Sequence, residues 1–138
     1  MNNAMKQTSH PADGKRRTRL ALELGFYLTA LAVIALDQGC KYLIRANLEL
    51  NQSVPEEGLF RLTYITNVGG AFGILGNQGF LITIASLVTI CAILIYSRYP
   101  AFNRMMVRVA LGLILGGALG NLIDRLSLGS VVDFIDIG

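Results

Sequence analysis

Three stretches of this 138-residue chain, residues 20–44, 80–96 and 107–123, stay apolar over roughly the 20 residues that a helix needs to cross a bilayer. Inside lipid no water is available to backbone N–H and C=O groups, so a spanning segment must bond them to itself, and a helix does so. The composition agrees: 53% of the residues are hydrophobic and 15% are charged, too apolar for a water-soluble domain of this size. The expected fold is an all-α integral membrane bundle with three transmembrane helices.

The remaining sequence divides around those spans. Residues 1–19 are polar, with Pro11, Gly14 and the bases Lys6, Lys15, Arg16, Arg17 and Arg19, and are expected to form a disordered cytoplasmic tail ahead of a single membrane domain, residues 20–138. Residues 45–78 contain Glu49, Pro55, Glu56, Glu57 and Gly58, then a β-branched and aromatic run at 60–66. This predicts a small β-containing insertion at the extracytoplasmic surface. With Arg98, Arg104 and Arg108 the tail places eight bases on one side, against Arg45, Arg61 and Arg125 on the other. That imbalance puts the N-terminus in the cytoplasm.

The same distribution argues against nucleic acid as a partner, because the bases sit at span ends and not on a soluble face. Cys40 and Cys91 lie in apolar stretches and His10 in the polar tail, which predicts no disulfide framework, no metal site and no cofactor.

Ionisable groups within or beside an apolar span each cost roughly 2.5 to 3.5 kcal/mol at the bilayer centre and therefore mark sites worth explaining. Asp37 and Lys41 stand at i and i+4 near the end of the first span. They are positioned to neutralise each other within one helix, or to brace a polar site shared with the third. Asn121, Asp124 and Arg125 share a face of the third span, where they form either a structural ion pair with an amide alongside or part of a cleft. Gly112, Gly116 and Gly120 recur every four residues and form a stripe where another helix can approach. Thr66-Asn67-Val-Gly-Gly-Ala71-Phe72-Gly73 is a small-residue loop with one amide. Leu36-Asp37-Gln38-Gly39-Cys40 has the outline of a lipidation site, but Asp37 and Gln38 are neither small nor apolar. Asp133 lies among Val131, Val132, Phe134 and Ile135, close to the membrane surface. Peptide hydrolysis by carboxylates alone uses two that share a proton, and Asp124, Asp133 and Asp136 are the candidates.

Four motifs in order, Asp37-Gln-Gly-Cys-Lys41, Asn67-Val-Gly-Gly-Ala71-Phe72, Gly116-Gly-Ala-Leu-Gly-Asn121-Leu-Ile-Asp124-Arg125 and Val131-Val-Asp133-Phe134, resemble lipoprotein signal peptidase, or signal peptidase II. The resemblance covers the chain from about residue 20 onward. It implies an aspartic endopeptidase of the bacterial inner membrane that removes signal peptides from diacylglyceryl-modified prolipoproteins, with the lipid bilayer and the prolipoprotein as partners and a monomer as the default state. On this resemblance Asp133 is one catalytic aspartate, Asn67, Asn121 and Arg125 line the cleft, Asp124 supports it, and Asp37 and Lys41 brace it from the first helix. The family's active site lies on the periplasmic side. The family has a fourth span, preceded by a Phe-Asn-x-Ala-Asp motif holding the second catalytic aspartate, and no such motif occurs in residues 1–138. The resemblance therefore places that second aspartate beyond Gly138. The expectation is thus a domain incomplete at its C-terminus, either a fragment or an inactive truncated relative. Two other functions fit the residues: a non-catalytic membrane module that binds lipopeptides or partner helices, and a proton conductor using Asp37, Asp124 and Asp133.

Overall fold

The computed structural model describes residues 11–67 and 79–137. The elements in order are α1 (Pro11–Asn47), β1 (Ser53–Val54), β2 (Arg61–Asn67), α2 (Gly79–Tyr96), a 3-10 turn (Pro100–Phe102), α3 (Met105–Leu128) and β3 (Val131–Asp136). All three α-helices are long and apolar enough to cross a membrane, as the hydropathy pattern predicts.

One expectation differs from what is observed. Residues 11–19, anticipated as disordered, continue α1. Once the apolar part of a helix is nucleated, each further residue needs only propagation. Ion pairs one turn apart, Asp13–Arg17 and Arg19–Glu23, both at 3.1 Å, support the extension, each contributing a few tenths of a kcal/mol because it is exposed. Residues 1–10 of the expected tail lie outside the described residues. So does Gly138.

α1 and α3 run parallel, and α2 returns antiparallel against α3. The glycine stripe sets the α1–α3 distance. A Cβ at Gly112 would fall 2.6 Å from the Phe26 carbonyl oxygen, and one at Gly116 would fall 2.6 Å from Val33 Cβ and 2.7 Å from the Ala30 oxygen. Phe26, Ala30, Ile90, Ile93, Leu115 and Leu122 form the buried apolar core. Leucines such as Leu28, Leu31 and Leu113 point outward, as a lipid-facing surface requires. Hydroxyls in the spans bond back to their own helix, Thr83 to the Gly79 oxygen at 2.8 Å and Ser86 to the Ile82 oxygen at 2.9 Å, so they leave no unmet donor in lipid.

At one end of the bundle the three strands form an antiparallel sheet in the order β1-β2-β3. The strand expected at 60–66 is β2. The third strand, β3, comes from beyond α3 and joins the insertion to the C-terminal segment. Its pairs with β2 include Arg61 with Asp136, Ile65 with Asp133 and Asn67 with Val131. The chain reverses between α3 and β3 through Gly129, which has φ 74° and donates its N–H to the Arg125 oxygen at 3.1 Å. That left-handed conformation suits glycine.

The stripe makes a paired prediction. Gly116→Ala drives a methyl group into Val33 and the Ala30 carbonyl and is expected to destabilise the detergent-solubilised protein by about 1–3 kcal/mol. Gly117→Ala meets nothing within 4 Å and should melt at the wild-type temperature or slightly above it. Equal melting temperatures for the two variants would show that the helices are not in contact along this stripe.

Candidate active site

The polar groups of α1 and α3 converge on the Lys41 ammonium, which is 1% exposed. An ammonium has three donors and no acceptor, and here each donor has a partner. Nζ lies 2.7 Å from Asp37 Oδ2, 2.9 Å from Asp124 Oδ2 and 3.2 Å from Asn121 Oδ1. Asp37 is one turn back on α1, whereas Asn121 and Asp124 belong to α3. Lys41 is therefore not merely neutralised within its own helix; it bridges two.

Asp124 is fully buried, and both of its oxygens are engaged. Oδ1 accepts from Gln38 Nε2 at 3.0 Å, while Oδ2 accepts from Lys41 and from the Val132 backbone N–H at 3.1 Å. The last bond ties the final turns of α3 to β3 across the Gly129 reversal. Gln38 also reaches the Gly120 oxygen at 3.2 Å and Asp37 Oδ2 at 3.1 Å. Position 120 must lack a side chain for this packing, since a Cβ there would collide with the Asp37 carboxylate.

Immediately after Val132, Asp133 is exposed on β3. It lines a cavity of about 410 Å³ whose other polar walls are Asp37, Lys41, Asn67 and Asn121, with Ile65, Val132, Phe134 and Ile135 as the apolar ones. Asn67, the last residue of β2, donates Nδ2 to Asp133 Oδ2 at 3.1 Å. Among the described residues no cation lies within ion-pairing distance of Asp133. Its strand is pinned further along by Asp136, whose Oδ2 accepts from Arg61 Nη2 at 2.6 Å and from Thr63 Oγ1 at 3.2 Å.

Of the residues singled out in the sequence, Asp37, Lys41, Asn67, Asn121 and Asp133 meet at this cavity, and Asp124 stands behind its wall. Arg125 does not line it. Its Nη1 reaches Ser86 Oγ on α2 at 3.4 Å, and it acts on Asp133 and Asp124 through longer-range Coulomb attraction. Asp136, a third carboxylate candidate, is tied to Arg61. Gln38 and Ser86 were not singled out as site residues. Gln38 could have been found, because a third polar residue beside Asp37 and three positions before Lys41 extends the same polar face. Ser86 carries no such signal, since serine in an apolar helix ordinarily bonds to its own backbone. The loop residues 68–73 lie outside the described residues.

Known proteins resemble this chain in sequence and in fold. The profile of the signal peptidase (SPase) II family matches residues 29–138. The lipoprotein signal peptidase of Moorella thermoacetica is 48% identical over 81% of this chain and 75% of its own length. That of Halothermothrix orenii is 44% identical over 80% of this chain and 76% of its own. Among solved structures, a bacterial membrane enzyme determined by the in meso method at 2.3 Å superposes with a TM-score of 0.73 at 33% identity, covering 82% of this chain and 70% of that one. The buried Lys41 bridge, the three spans and the Asp133 cavity are thus carried by a chain that belongs to the signal peptidase II family.

Proposed function

We propose that this chain belongs to an aspartic endopeptidase that cleaves the signal peptide from diacylglyceryl-modified prolipoproteins, with Asp133 as the carboxylate that activates water. The observation that carries this reading is the unequal state of the carboxylates at the cavity. Asp37 and Asp124 are held by Lys41, whereas Asp133 opens to the cavity with an amide and no paired cation among the described residues. A carboxylate that is to accept a proton from water needs such a position, because a direct ammonium partner would stabilise the charged form and weaken it as a base.

In the proposed reaction Asp133 takes a proton from water as the oxygen attacks the scissile carbonyl carbon. A second carboxylate donates a proton to the leaving amine. The resemblance assigns that second group to the Phe-Asn-x-Ala-Asp motif. Among the described residues β3 is an edge strand, and an extended peptide laid along such an edge presents its carbonyls to the strand. The cavity would then receive the residues flanking the bond. The seven described bases toward the opposite end of the bundle, Lys15, Arg16, Arg17, Arg19, Arg98, Arg104 and Arg108, support a periplasmic position for this site in the inner membrane. Lipopeptide binding without catalysis is the reading this proposal displaces.

Two experiments test the division between chemistry and scaffold. In the enzyme expressed from its own gene and supplied with a diacylglyceryl-modified prolipoprotein, Asp133→Asn is expected to lower kcat by about 10²–10⁴-fold while leaving the melting temperature within a few degrees of wild type. Cleavage at the wild-type rate by this variant would remove Asp133 from the chemistry. Lys41→Met, by contrast, leaves Asp37 and Asp124 facing each other without a cation and should destabilise the fold by about 3–5 kcal/mol. Adding Asp124→Asn to Lys41→Met should restore part of that loss in a double-mutant cycle of chemical unfolding. Additive losses would show that the Lys41–Asp124 contact does not hold α1 to α3.

A further inference from the structure

The end of the bundle opposite Asp133 carries a second cavity, of about 440 Å³, between the start of α1 and the start of α3. Gly14, Lys15, Thr18, Arg19, Leu22 and Asn103 line it. Along α1 it is about 33 Å from Lys15 to Asp37 at 1.5 Å per residue, close to the hydrocarbon thickness of about 30 Å. The two cavities therefore stand at opposite bilayer surfaces.

The charge around this second cavity is unbalanced. Asp13 and Glu23 are engaged by Arg17 and Arg19, both at 3.1 Å. Lys15, Arg16, Arg104 and Arg108 have no ion-pair partner among the described residues. Arg108 is the unusual member, because it is only 5% exposed. Its Nη2 donates to Asn103 Oδ1 at 2.8 Å, and its Nε has no hydrogen-bond partner among the described residues. A buried guanidinium without a counter-charge is unfavourable unless negative charge is brought near it.

Asn103 connects that charge to the cavity. It lines the cavity, its oxygen accepts from Arg108, no bond from its Nδ2 is found among the described residues, and polarisation by the cation strengthens that amide as a donor. The start of α3 adds to the same field. Arg108 N bonds to the Arg104 oxygen at 3.0 Å, and the amides of the three preceding helical residues have no acceptor within the helix. Arg104 supplies no side-chain cap, leaving the positive end of the helix dipole open.

We infer that this cavity binds a phosphate-bearing anion, contacted by Lys15 and Asn103, with Arg108 as its buried counter-charge. A phospholipid headgroup and free phosphate share that chemistry. Leu22 at the apolar edge and the position one hydrocarbon thickness from Asp37 suit the headgroup.

Native mass spectrometry of the full chain in neutral detergent tests the site, with phosphatidylglycerol or phosphatidylcholine added. One phosphatidylglycerol is expected to be retained about fivefold over phosphatidylcholine, with Lys15→Gln combined with Asn103→Ala abolishing the preference and Arg16→Gln, a base outside the cavity, leaving it intact. Inorganic phosphate separates the sources. If it raises the melting temperature of wild type but not of the Lys15→Gln, Asn103→Ala variant, and no lipid preference exists, the site holds the soluble anion. Equal loss of preference in the cavity variant and in Arg16→Gln would overturn the proposal in favour of diffuse surface attraction. So would the absence of any response to either anion. Asn103→Ala also removes the bond to the buried Arg108, so Lys15→Gln alone, at an exposed position, is measured beside it: a lowered preference is expected, and an unchanged one in a folded Lys15→Gln variant would overturn the proposal.

Discussion

The Lys41 ammonium organises the bundle because it is the point where two spans and the sheet share one charge. Lipid tails are as apolar as leucine, so no hydrophobic gain draws α1 and α3 together once both are in the membrane. Close packing and polar contacts must hold them. The stripe of Gly112 and Gly116 permits the close packing. Lys41 supplies the polar contact, with its three donors distributed between Asp37 on its own helix and Asn121 and Asp124 on the other. Interhelical hydrogen bonds in bilayers contribute about 0.6–1.7 kcal/mol each, but breaking this set is worse than losing their sum, since a buried charge would remain.

From that ion the structure leads stepwise to the cavity. Asp124 receives Lys41 and the Val132 amide on the same oxygen, so the helix contact also fixes where β3 begins. Asp133 is the next residue. At the far end of the strand Arg61 and Asp136 hold the register at 2.6 Å. Side chains alternate along a strand, so a slip of one residue would turn Asp133 away from the cavity. The two clamps, Asp124 to Val132 at one end and Arg61 to Asp136 at the other, enclose Asp133 between them.

Much of this was legible in the sequence, and the unread parts have physical reasons. The spans were readable because long apolar runs admit one solution in lipid. Asp37 and Lys41 stood out as a helical pair for the same reason, and the glycine stripe as a packing surface. Which of their two roles prevails was not readable, because local neutralisation and bridging to α3 use the same i, i+4 spacing. Only the approach of α3, permitted by Gly120, separates them. The helical start of α1 was hidden because residues 11–19 have the composition of a solvated tail, and their order derives from the span that follows. β3 was missed although Val131-Val-Asp-Phe-Ile-Asp136 has strand-forming residues, since its partners lie 64 to 75 residues upstream and pairing at that distance leaves no local mark. Arg125 shared a helical face with Asn121 and Asp124 in the sequence, but a long side chain can reach Ser86 on a different neighbour.

The carboxylates here differ in burial and in partners, and the proposed chemistry uses that difference. Asp124 is fully buried, with every oxygen accepting from a fixed donor. Such a group cannot exchange protons with a substrate without dismantling the α1–α3 contact. Asp37 lies between the two extremes, part of the wall and part of the Lys41 bridge. Asp133 is exposed on β3, an edge strand among the described residues, and opens to the cavity, so the proposed reaction would take place outside the helices. One residue of sequence separates the two positions, Val132 bonded to the scaffold and Asp133 open to the cavity, so on the proposed reading the same strand would serve both tasks. The buried ion pair thus serves the proposed chemistry by position alone, holding the strand that presents Asp133 while contributing no proton itself.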